Sequence, residues 1–199
     1  MTSFYKIKIF NTNNNIDYSY NLTASIYSQY LIPIFKYLYN CKIISNFTKL
    51  LKINISTTFK SYTQNLEYIK EAIQEIYLIT GQVPYLTKPK KNISNFNLSK
   101  NKGIIGATVN LNKKNKYIFL EKLITLILPK IKDFNGLSYT QFDKYGNFHF
   151  RLTSQYIFPE ISILTTKYIK GFNIIFNLKN KNLATSKIFL NLLNFPLTF

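Results

Sequence analysis

With 199 residues, 46% of them hydrophobic, the chain can bury one real core, with appendages at most. Its 26 Lys and Arg against 8 acidic residues give a net charge of +18, a positive field whose complement is a polyanion, either nucleic acid or an anionic membrane. The single cysteine, Cys41, excludes an intramolecular disulfide, a Cys-cluster zinc site and an iron-sulfur cluster; it fits a reducing compartment and reads as a small buried apolar residue.

Residues 1–21 join an alternating stretch, Phe4 to Phe10, to the polar run Asn11 to Asn15, and are expected to form an arm outside a domain of residues 22–199. From Leu22 to Tyr39 apolar residues recur at helical spacing, with Pro33 kinking or restarting that helix. Leu50 to Phe59 alternates Ile53, Ile55 and Thr57 with Lys52, Asn54 and Ser56, as a half-buried strand does. Leu66, Ile69, Ile73, Ile76 and Tyr77 predict a helix with that face inward and Gly81 at its end. Glu67, Glu71 and Glu75 fall in one stripe opposite much of this face and are expected to be solvated. A short strand, Val83 to Thr87, precedes a long basic loop, 88–102, with Lys88, Lys90, Lys91, Lys100 and Lys102. Ile104 to Leu111 reads as a strand, Tyr117 to Leu128 as a helix stopped by Pro129, Gly171 to Leu178 as a strand and Leu183 to Leu193 as a helix. Short strands mixed with helices, without strict alternation, imply an α+β fold. Its sheet would be antiparallel, with helices packed on one face and the other open to RNA.

Catalytic chemistry finds little material. The carboxylates are Asp17, Glu67, Glu71, Glu75, Glu121, Asp133, Asp143 and Glu160, from which Asp133 and Asp143 are the pair that a basic, metal-dependent nuclease or RNA maturation factor would use. His149, the one histidine, lies between Phe148 and Phe150 and is expected to be structural. The six glycines never approach a nucleotide-cradling spacing. No catalytic residue, metal ligand or cofactor is assigned. A membrane-surface role would need a basic amphipathic helix, which is absent from the pattern, and the longest apolar run, Leu123 to Pro129, is too short to span a bilayer. What remains is Lys interleaved with 16 Tyr and 17 Phe, most of which must be core while a few are free to stack on bases.

Two stretches make the reading specific: Ile79 to Phe96, ITGQVPYLTKPKKNISNF, and Asp133 to Phe148, DFNGLSYTQFDKYGNF. They resemble the universal large-subunit ribosomal protein five family, whose patterns run approximately ISGQKPxxTKAKKSxAxF and DFRGLxxxSFDGRGNY. FLEKLITLILPKIKDF between them, IFPEI at Ile157 to Ile161 and NFPLTF at Asn194 to Phe199 fit the same family in order, over roughly residues 22–199. The resemblance implies a ferredoxin-like (RRM-like) core in the central protuberance and no enzymatic activity. Implied partners are large-subunit rRNA, 5S rRNA where present, the elbow of P-site tRNA, a small-subunit head protein and neighbouring large-subunit proteins, with no membrane. Lys88, Lys90, Lys91, Asn92, Ser94 and Phe96 match the family loop that approaches the tRNA, with Pro89 where Ala is usual. Lysines there would neutralise phosphates without reading bases. Asp133 and Gly136 match turn positions near the bridge to the small subunit.

The positions matched to the rRNA contact are Ser56, Gln82, Asn110 and Asn112. Gln82 is retained, but Ser56 stands where the family has Asn, the two glycines after it are lost, and Asn112 replaces an Arg. Two histories fit these departures: 5S rRNA is absent or divergent, or the contacts have drifted and other lysines have taken them over. The dominance of Asn, Lys, Ile, Tyr and Phe is that of an A/T-rich genome. With neither a secretory nor a transit pattern in MTSFYKIKIF, a protein made in and working in the mitochondrial matrix is expected; a plastid or an A/T-rich bacterial cytoplasm is the alternative.

Overall fold

The computed structural model describes Pro33 and residues 48–59, 66–92, 104–162, 166, 168–179 and 182–198. The expected arm (1–21), the rest of the helix 22–39, Cys41 and loop positions 93–102, with Ser94 and Phe96, lie outside the described residues.

The described elements are β1 (Leu50–Thr58), α1 (Leu66–Thr80), β2 (Tyr85–Thr87), β3 (Gly106–Leu111), α2 (Lys113–Lys122), β4 (Leu137–Ser138), β5 (Phe148–Leu152), β6 (Phe172–Leu178), α3 (Leu183–Leu192) and β7 (Leu197–Thr198). Five strands form one sheet in the order β2-β3-β1-β6-β5, and every neighbouring pair is antiparallel. β3 lies between β1 and β2, so β1–α1–β2 is a split βαβ unit; the path through α2 carries the chain from β3 to β6 on the far side of β1. That is the ferredoxin-like arrangement, widened at one edge by β5.

Alternation decides which face is covered. Ile53 and Ile55 of β1, Val109 and Leu111 of β3, Ile174 and Phe176 of β6, and Phe148 and Phe150 of β5 point inward. They join Ile76 of α1, Phe119 of α2 and Phe189 of α3 in one core. Phenylalanine supplies much of its volume: Phe148 and Phe195 meet edge to face at 5.4 Å, as do Phe176 and Phe195 at 5.3 Å.

Several boundaries differ from expectation, for local reasons. The strand expected at Val83 begins at Tyr85, because Pro84 has no N–H to give a ladder and Val83 is 76% exposed. The strand expected at Ile104 begins at Gly106. α2 begins at Lys113 rather than Tyr117, since its first turn is polar and invisible to an apolar pattern. Pro129 does not stop it at Leu128: a π turn, Leu123–Ile127, hands the chain to a 3₁₀ turn, Leu128–Lys130. Proline stands early in that last turn, where its missing N–H costs no bond. The small parallel pair of β4 and β7 has no signature in the pattern. It needs Gly136, at φ +97°, where a Cβ would lie 2.3 Å from Thr198 Cγ2 and 3.2 Å from the Pro196 carbonyl.

The largest correction concerns α1. Its buried residues are Tyr68, Ile69, Ala72, Glu75, Ile76 and Ile79, while Leu66 and Tyr77, expected inside, are 69% and 49% exposed. The acidic stripe is not uniformly solvated, because Glu75 retains only 4% of its exposure. The cause is Lys170, 2% exposed, whose Nζ lies 2.9 Å from Glu75 Oε1, 3.3 Å from Glu71 Oε1 and 5.0 Å from the Tyr68 ring centroid. Gln155 completes the site, accepting the Lys170 N–H at 2.5 Å and donating to the Tyr168 carbonyl at 2.6 Å. Burial pushes the Glu75 carboxyl up from its ordinary range, against the pull of the Lys170 ammonium. Removing one partner strands the other charge, so Glu75→Gln is expected to lower the unfolding free energy by about 3 kcal/mol in a denaturant titration. The apolar double substitution Glu75→Leu with Lys170→Met should recover most of that loss.

Candidate nucleic-acid interface

The face of the sheet opposite the core is polar strand by strand. β1 contributes Lys52, Asn54, Ser56 and Thr58; β3 contributes Thr108 and Asn110; β6 contributes Asn173, Ile175 and Asn177; β5 contributes His149 and Arg151. Register turns these into rows. Tyr85, Thr108, Ser56, Asn173 and Arg151 align across all five strands, and Asn110, Asn54, Ile175 and His149 form the neighbouring row.

Two of the expected rRNA residues, Ser56 and Asn110, thus share this face on adjacent strands. The Asn110 amide donates to the Tyr85 hydroxyl at 3.1 Å, while the side-chain carbonyl oxygens of Asn110 and of its cross-strand neighbour Asn54 are buried without a hydrogen-bond partner among the described residues. Such atoms ask for a donor from outside. Asn112 occupies the N-cap position of α2, is exposed, and makes no side-chain cap hydrogen bond. Gln82 follows α1 with its backbone N–H held by Thr80 Oγ1 at 3.2 Å. Antiparallel pairing of Tyr85 with Thr108 directs the residues before Tyr85 toward the Leu111 end, so Gln82 and Asn112 lie at the same end of the sheet. Lys88, Lys90, Lys91 and Asn92 are exposed just beyond β2, at the opposite end.

The expected turn residues hold a second polar region. Asp133 has φ +53°. The Asp143 carboxylate accepts from the backbone N–H groups of Tyr145 and Asn147 and from the Asn147 amide, each at 2.8 Å, and lies 3.5 Å from His149 Nε2. His149 itself, expected to be structural, is exposed on the polar face between buried Phe148 and Phe150. Asn54, Asn173 and Arg151 also lie on this face; β1 alternation points to Asn54, whereas the other two join it only through the register of β5 and β6.

Comparison with known proteins then decides the lineage. Residues 104–197 match the C-terminal region of the ribosomal L5 protein family. Large ribosomal subunit protein uL5c of Heterosigma akashiwo is 38% identical over 148 residues, covering 74% of this chain and 81% of its own length. Large ribosomal subunit protein uL5 of Acholeplasma laidlawii is 38% identical over 174 residues (81% and 96%), and that of Citrifermentans bemidjiense 35% identical over 173 (87% and 96%). The chain belongs to the ribosomal protein uL5 family. It is a structural, rRNA-binding constituent of the large ribosomal subunit, and the family is not an enzyme family.

Family membership fits the carboxylates better than the nuclease reading does. The Asp143 oxygens are taken up by their own loop, and among the described residues no group of three or more His, Cys, Asp or Glu is placed to hold a metal ion. Partial burial pushes the Asp143 carboxyl up, but hydrogen bonds from Asn147, His149 and Tyr145 outweigh it and hold it below its ordinary value. A depressed carboxylate stabilises the fold above its unfolded pKa, and that contribution is lost as pH falls through the folded pKa. Asp143→Asn should therefore flatten the acid limb of stability against pH below about pH 4. Thermal unfolding across that range checks it.

Proposed function

We propose that this uL5 family member sits in the central protuberance and divides its contacts by chemistry. The polar face around Ser56, Asn110, Asn112 and Gln82 meets large-subunit rRNA and, where present, 5S rRNA. The loop 88–102, through Lys88, Lys90, Lys91, Asn92, Ser94 and Phe96, meets the P-site tRNA elbow, and the region of Asp133 to Phe148 bridges to a small-subunit head protein. Residues 1–21 form an arm toward neighbouring large-subunit proteins, apart from a domain of residues 22–199. The observation that carries this reading is the alternation of β1 against β3, which gathers neutral Asn and Ser groups with unmatched acceptors on one face.

For the lost arginine at Asn112, drift has the better support. Lys113 and Lys114 are exposed immediately beside Asn112 at the amino end of α2, where backbone N–H groups also favour phosphate. Two ammonium groups there replace the single guanidinium as counter-charge, without its planar fork. The compartment we assign is the mitochondrial matrix, on the A/T-biased composition; a plastid or a bacterial cytoplasm is the alternative.

Isolating ribosomes from the source compartment, identifying the protein by mass spectrometry and sequencing the small RNAs of the large subunit tests this assignment. The expected result is one copy per large subunit together with a divergent 5S-like RNA; absence of the protein from ribosomes would refute the placement. Separately, Ala at Lys88, Lys90 and Lys91 together should weaken tRNA binding to large subunits alike for different tRNAs, and should reduce the slope of log affinity against log salt by about 2.

A further inference from the structure

Among the 26 Lys and Arg residues there is one arginine, Arg151. Where nearly every cation is an ammonium, the exception marks a place that uses a planar fork of five donors and not charge alone. Arg151 is exposed on the polar face of β5, in register with Asn173, and among the described residues no hydrogen bond or ion pair engages its guanidinium. With Ser56, Gln141, His149, Asn173 and Ile175 it lines a depression of about 350 Å³. Within this group the Gln141 side-chain carbonyl oxygen is buried and, among the described residues, has no hydrogen-bond partner. The carboxylate that touches His149, Asp143, is already bonded by its own turn.

This combination selects among ligands. Phosphate needs only cations, and an unmatched buried acceptor would repel it. A base edge with two adjacent acceptors suits the guanidinium fork, and a donor on a neighbouring edge suits Gln141. Guanine offers both, with O6 and N7 for the fork and N1–H or the 2-amino group for Gln141. Adenine sets a donor where O6 would be, and the pyrimidines lack the O6 and N7 pair. The His149 ring and Ile175 provide faces on which an unstacked base can rest.

We propose that Arg151, Gln141, His149, Asn173 and Ser56 form a pocket for a single unpaired guanine of RNA, on the β5 side of the sheet. The proposal rests on the RNA-binding reading of the polar face, and adds base selectivity to it at a strand none of the residues matched to the rRNA contact occupies.

The test uses the full chain and fluorescent oligouridine probes carrying one central G, A, C or 7-deazaguanine, compared by anisotropy at a low and at a moderate salt concentration. The G probe is expected to bind about tenfold more tightly than the others, with 7-deazaguanine losing most of the gain because the fork loses N7. Arg151→Lys keeps the charge at an exposed position; it should abolish the preference for G over the other probes while leaving the thermal midpoint unchanged. Equal, salt-sensitive affinity for every probe overturns the pocket and leaves RNA binding by the face intact. Retention of the G preference in Arg151→Lys overturns the role of the fork, and failure to bind any probe at low salt overturns the RNA reading with it.

Discussion

A lysine ammonium buried immediately before β6 has to be neutralised inside the protein, and α1 is the element that does so. Lys170 reaches Glu75 and Glu71 across a contact that also includes the Tyr68 ring, and Gln155 holds the Lys170 backbone. Hydrophobic burial alone would let α1 roll over the sheet at small cost, because Leu66, Tyr77 and Leu78 offer an apolar surface of their own. The ion pair is directional. It fixes which stripe of α1 faces the core, and so joins the split βαβ unit to the strand on the other side of β1. With α1 set, the covered side of the sheet is settled, and the candidate RNA-binding face is the one left over.

That face is polar but sparing in charge. Lys52, His149 and Arg151 are its basic groups; the rest of its rows are Asn, Ser, Thr and Tyr with one exposed edge of Ile175. Charge collects instead at the ends of the sheet, with Lys88, Lys90 and Lys91 after β2 and Lys113 and Lys114 after β3. Ammonium groups at the ends attract phosphate over a distance set by screening, whereas neutral amides act only at hydrogen-bonding range. In the proposed reading, long-range capture and short-range fit therefore fall to different residues. Lys116 serves neither, since it donates to the Leu50 and Leu51 carbonyls at the β1 irregularity, and burial lowers its ammonium pKa.

Much of the fold was legible because its signals are local. The alternation of Leu50 to Phe59, the three-and-four spacing from Leu66, Gly81 at φ +67° and the apolar strand at Gly171 to Leu178 each depend on neighbours within a few residues. The failures are those of position in space. Glu75 has the sequence context of a solvated residue, and only Lys170, 95 residues away, makes it a core residue. β4 and β7 are two residues each, too short for a period to register. At the candidate site, Ser56 could be identified from its strand, but its neighbours Asn173 and Arg151 belong to the face only through the register of β1, β6 and β5.

Composition and structure also bear on each other at the arginines. A bias toward Lys is nearly neutral wherever a cation only balances phosphate, as the ammonium groups of Lys113 and Lys114 beside Asn112 would in the proposed reading. It is not neutral where two parallel donors meet two acceptors, because an ammonium supplies a point charge in place of a fork. A protein under that bias should keep or acquire arginine only at positions of the second kind. Arg151 is at such a position, exposed, unengaged among the described residues and sharing a depression with Gln141, whose side-chain oxygen is unmatched there, two strands from Ser56 on the same face. In the proposed pocket, selectivity therefore lies toward the β5 edge, while the β3 end, with Lys113 and Lys114 beside Asn112, carries charge without a fork.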